Sequence, residues 1–166
     1  MKSFDSLGDM AAHLLTMATA EAVALHHGLE AAAEQVELTA KGEIGTYQDA
    51  IGPFPGWAPL ADSTEDQKAR MGYPAESPLL ATGDMQKSIT HEVQGLEAVI
   101  GTPDEKALYH ELGTPRMPPR PVFGPALMHN RDRVERLIGE AAVAGILGGE
   151  LTDAALGYNG PQASKT

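Results

Sequence analysis

No cysteine occurs in the 166 residues, which excludes disulfides, thiolate zinc sites and cysteine nucleophiles and leaves the fold to packing and assembly. Cations are scarce: 12 Lys and Arg stand against 23 Asp and Glu, a formal net charge of -11. Attraction to a phosphate backbone therefore cannot drive binding by the whole chain, which disfavours a nucleic-acid-binding module. Aromatic residues make up only 5%, with a single Trp. No stretch approaches the roughly 20 apolar residues that span a bilayer. The opening MKSFDSLGDM lacks the uninterrupted apolar run of a signal peptide, so synthesis in a cytoplasm is expected. Gly and Pro, by contrast, number 18 and 12, so much of the chain is expected to be turn and open segment. The length suits one domain with appendages.

What is present reads as helix, loop, strands, helix. From Asp5 to about Lys41 the chain is rich in Ala, Leu, Met and Glu and free of proline, which predicts a long helix, with a break near Gly28. Leu7, Met10, Leu14 and Met17 begin an apolar stripe that Ala24, Leu25 and Leu29 continue, to be buried against a sheet or a neighbouring subunit. Residues 43–80 are punctuated by Pro53, Pro55, Gly56, Pro59, Gly72, Pro74 and Pro78 and read as an extended loop, mobile in an isolated subunit. Within it only Asp62 to Arg70 offers a helix, with Ser63 as N-cap. Alternation predicts strands over Met85–Val93 and Ala98–Gly101, joined by a hairpin turn. A short helix, Glu105 to Leu112, follows Pro103 and Asp104 and stops at Gly113. Thr114 to Pro125 holds five prolines and is expected to be extended and exposed to neighbours. A second long helix is predicted from about Ala126 to Leu147, with Leu127, Val134, Ile138, Ala141 and Gly145 on one face.

These elements predict an α+β fold in which the two long helices pack on a small antiparallel sheet. One domain is expected over residues 1–147 and a flexible tail over 148–166. Residues 1 to 50 are predominantly acidic, whereas 115 to 136 carry five arginines against Asp132 and Glu135. That asymmetry predicts an acidic end and a basic end, which suits head-to-tail contact between identical subunits.

Catalytic patterns are thin. His91, His110 and Glu111 form the best candidate cluster for a small metal-dependent enzyme, if strand and short helix bring them together. HExxH nevertheless fails after His110, because Thr114 stands where a second His is needed and Arg116 and Met117 follow it. Neither a GxSxG elbow nor a GxxxxGK[ST] phosphate loop occurs. No catalytic, metal or cofactor-binding residue is therefore assigned, and the chain is expected not to be an enzyme. Trp57, inside the proline-rich loop, is expected to pin that loop to its own domain or to a neighbouring subunit.

Three segments together resemble the phage virion-morphogenesis and tail-completion families. They are Trp57-Ala58-Pro59-Leu60-Ala61-Asp62-Ser63-Thr64 with Lys68, then Pro78-Leu79-Leu80-Ala81-Thr82-Gly83-Asp84-Met85 with Ser88-Ile89, and last Tyr109-His110-Glu111-Leu112-Gly113-Thr114 leading to Met117-Pro118-Pro119-Arg120-Pro121-Val122-Phe123-Gly124-Pro125-Ala126. The resemblance implies a small α+β virion subunit, assembled in the host cytoplasm into a homo-oligomeric, hexameric ring at the head-tail junction. Connector, tail terminator or tail tube would be its partners. DNA would pass through the lumen without specific binding, and an acidic inner wall would repel phosphate and let the duplex slide. A head-side neck or tail-terminator ring is the alternative position. Trp57, Arg120 and Phe123 are the residues expected at a subunit interface, Arg120 through a bidentate salt bridge to a neighbour's carboxylate.

Overall fold

The computed structural model describes residues 6–146. Helix α1, Leu7–Glu43, starts where the Ser6 hydroxyl accepts the Asp9 backbone N–H at 3.0 Å. Its 37 residues, at about 1.5 Å rise each, make a rod roughly 55 Å long. It runs unbroken through Gly28. There a Cβ would fall 2.4 Å from the Ala141 Cβ and 3.1 Å from the Leu137 carbonyl oxygen. The residue read as a helix breaker is instead the point where a second helix comes close.

That second helix is α5, Phe123–Ile146, antiparallel to α1. Asn130 Nδ2 donates to Thr39 Oγ1 at 2.7 Å near one end of the pair, and Gly145 meets the Glu21 backbone near the other. Helix α5 begins before the expected Ala126 because Pro125 fits a first turn, where its missing N–H has no intrahelical partner to lose. Leu127, expected on the packed face, is exposed. Pairing α1 with α5 also sets the acidic and basic segments side by side, so the expected separation into an acidic and a basic end is not how the chain is arranged.

Against α1 lies a hairpin of β1, Thr90–Gln94, and β2, Glu97–Gly101, in antiparallel register from Thr90↔Gly101 to Gln94↔Glu97. Gly95, at φ 59, takes the first position of the two-residue turn, where only a residue without Cβ sits easily. His91, Val93, Ala98 and Ile100 are partly buried and Thr90, Glu92 and Val99 exposed, the alternation expected of a half-buried sheet. The first strand is shorter than expected. Asp84–Ser88 forms the short helix α3 instead, after Gly83 at φ 81. Met85 and Ile89 are both buried, and residues four apart share a face in either conformation, so periodicity alone could not separate the two.

The remaining helices are α2, Asp62–Arg70, and α4, Glu105–Leu112. The N-cap of α2 is Ala61, with no side-chain bond; Ser63, expected there, lies inside the first turn. Asp104 caps α4 by accepting the Lys106 N–H at 3.0 Å, and Gly113 ends it at φ 73, as expected. The core is Val36, Ala40, Ile44, Trp57, Met85, Ile89, Val122 and Ala126, where α1, the loop, α3 and the start of α5 meet. Among the described residues no helix is long and apolar enough to cross a membrane. The tail expected over 148–166 lies outside the described residues.

Candidate functional site

Two proline-bearing segments far apart in sequence are clasped together. Trp57 is buried and its indole Nε1–H donates to the Pro121 carbonyl at 3.0 Å. One residue earlier in the strap, Arg120 turns back toward the loop and donates from Nε and Nη2 to the Ala58 carbonyl at 3.3 and 3.0 Å, and from Nη2 to the Pro59 carbonyl at 3.2 Å. Its own backbone N–H donates to the His110 carbonyl at 2.7 Å. The guanidinium fork satisfies carbonyls that neighbouring prolines leave outside any regular ladder. Val122 N–H is taken by Glu111 Oε2 at 2.8 Å. Beyond the clasp, Phe54 lies against Gly124 and Met128 against Gly52, so the segment read from its punctuation as mobile is held at several points.

Of the residues expected at a subunit interface, Trp57 takes the first of its two expected roles and pins the loop to its own domain. Arg120 is only 5% exposed and has its acceptors within the chain, in place of the expected carboxylate on a neighbour. Phe123 is partly buried against the core. Of the strap expected to be exposed to neighbours, Thr114, Pro115, Arg116, Pro118 and Pro119 are exposed, whereas Arg120, Pro121 and Val122 are buried inside the protomer.

His91, His110 and Glu111 are not brought together. His91 Nδ1 faces Glu37 on α1 at 2.5 Å, Glu111 serves the Val122 amide, and His110 Nδ1 is buried without a hydrogen-bond partner. Among the described residues no three His, Asp or Glu side chains are grouped to hold a metal ion. Around Glu37, burial acts to raise its pKa, but hydrogen bonds from Lys41 and His91 outweigh it and hold the carboxylate below its usual range. Glu43, at the C-terminal end of α1, behaves oppositely. Burial pushes it up to about 7 against the pull of His129, whose Nδ1 lies 3.1 Å away, and Glu111 adds repulsion. The Glu37 and Lys41 pair was readable from its four-residue spacing; the partners supplied by His91 and His129 carried no local signal.

Two groups of exposed apolar side chains among the described residues lie on α1 and α4. The stripe of Leu7, Met10, Leu14 and Met17 continues in register to Glu21, Ala24 and Gly28, where α5 covers it. The described part of α5 reaches as far as Glu21, and nearer the start of α1 Leu7 is 81% exposed, Met10 39% and Leu14 56%. On α4, Leu108, Tyr109 and Leu112 also face outward. A scan against protein-family profiles, a search of curated proteins and a search of solved structures each find no match to this chain.

Proposed function

We propose that this chain is a non-enzymatic structural subunit of a long-tailed phage particle, forming a ring where the tail joins the head. Two kinds of support bear on the reading. The placement at the head-tail junction rests on the ordered motifs of the loop, the turn before α3 and the proline strap. The assembly role rests on one observation: the α1 stripe that α5 covers at one end runs on, solvent-facing, through Leu14, Met10 and Leu7. Soluble chains seldom leave a contiguous apolar face open unless a partner covers it. Another copy of the same chain covers it here, and the repeated contact closes a ring.

Two measurements test this. Analytical ultracentrifugation of the purified chain is expected to show a closed oligomer, with Leu14→Glu reducing it to monomers of unchanged helix content. A reconstruction of the head-to-tail junction then locates it, with hexameric symmetry placing it at the tail end and twelvefold symmetry at the head-side neck. A wild-type chain that stays monomeric at every concentration, or a protein abundant in infected cells yet missing from virions, sinks the proposal.

A further inference from the structure

Beside the clasp lies a cavity of about 420 Å³ bounded by the loop before α2, one face of α2, the turn at Leu79 to Ala81, α4 and the start of the proline strap. Its charge composition runs against that of the molecule. The chain carries a formal net charge of -11, yet the cavity is lined by Lys68, Arg116 and Arg120 and by no Asp or Glu. The rest of its wall is mostly apolar, with Leu60, Leu80 and Met117 among the contributors.

These cations are not idly placed. Lys68 is part-buried, its ammonium donating to the Ser77 carbonyl, and burial lowers its pKa while Glu65, outside the lining, pulls the other way. Arg120 is fixed by the Ala58 and Pro59 carbonyls. Arg116, at the exposed rim, has its backbone N–H on Thr114 Oγ1 at 3.3 Å. His110 lines the same space with an unpaired, buried Nδ1, and both burial and Arg120 favour its neutral form. Leu79, on the wall, has φ 61, a left-handed conformation that a branched side chain rarely adopts.

We infer that this cavity is a recognition site for a carboxylate carried next to a leucine-sized apolar group, presented by a peptide segment of another protein chain. Ligand sites of this type are mostly apolar, with a few convergent polar groups that fix orientation, and their volumes run from about 300 to 1,000 Å³. The apolar wall takes the side chain. The three cations take the charge through charge-assisted hydrogen bonds, which are stronger than neutral ones. The inference is independent of the phage reading, because it requires no ring and no virion.

Calorimetric titration of the full-length chain tests it, with Trp57 fluorescence as a second readout, since the carbonyl next to that indole is held by Arg120. Four probes are used: N-acetyl-Leu-Asp amide, N-acetyl-Ala-Leu as the free acid, N-acetyl-Leu-Asn amide and inorganic phosphate. At least one of the two acids is expected to bind, and which one does distinguishes a side-chain from a chain-terminal carboxylate. The neutral amide is expected to bind at least about tenfold more weakly, and salt to weaken the acid. Arg116→Glu changes an exposed loop residue, so the variant is expected to fold with unchanged circular dichroism and to lose acid binding. Equal binding of acid and amide, binding of phosphate alone, no binding by either acid at millimolar concentration, or full binding by a folded Arg116→Glu variant would each overturn the site.

Discussion

Single residues here do work that their type alone does not disclose. Arg120 was readable as a residue set among prolines, but the acceptors of its fork are main-chain carbonyls of its own protomer. Arg120→Ala removes those charge-assisted bonds to the Ala58 and Pro59 carbonyls. An expected cost of about 1.5–3 kcal/mol is measurable by urea unfolding followed at Trp57, with Arg120→Lys restoring only part of it because an ammonium lacks the planar fork. Glu43 gives a pH signature. Its carboxyl is held up at about 7 in the fold and titrates near 4.3 when unfolded. The native state therefore binds more protons between those values. This contribution to stability is fully present below the unfolded value and is lost as pH rises through about 7. Glu43→Gln is expected to flatten the thermal midpoint across that window, read by calorimetry at a series of pH values. His129 and Glu111, which face the same carboxyl, are kept unchanged for the comparison.

At the scale of elements, legibility followed locality. Helix α4 was readable to the residue because Asp104 and Gly113 mark its ends chemically, and α1 was readable as a long helix, though with ends shifted by two residues and a break at Gly28 that the structure does not have. What escaped was set by long-range contact. Gly28 looks like a weak point in a helix until Ala141 arrives against it, and Met85 to Ser88 reads equally well in either period until the rest of the chain decides. The α1 and α5 pairing gives the clearest test. Alanine normally stabilises a helix interior by about 0.8–1 kcal/mol over glycine. In Gly28→Ala the new methyl collides with Ala141, and the variant is expected to be about 1–3 kcal/mol less stable than wild type. Ala141→Gly in the same chain is expected to recover part of the loss in chemical denaturation, because it removes the other half of the collision.

For the whole molecule, composition was a poor guide to internal wiring. The acidic total stands, but its expected partition between two ends was overturned by antiparallel pairing, which sets the acidic α1 beside the arginines at the start of α5. The ring proposal carries its own electrostatic expectation: Asp and Glu should outnumber Lys and Arg on the inner wall of the assembled oligomer, and a basic channel in a reconstruction would contradict it. The 43–80 segment was legible as an excursion, though its attachment was not, since Trp57 and Arg120 find partners more than sixty residues away. The Gly45 N–H donates to the Pro78 carbonyl at 2.9 Å, so that excursion comes back to where it left. Topologically it is a handle whose two roots touch, and the route from α1 into α3 does not depend on its length. Residues added at the exposed tip around Met71 and Gly72 should leave the helical frame unaltered, and a single backbone cut there should yield two pieces that still travel together.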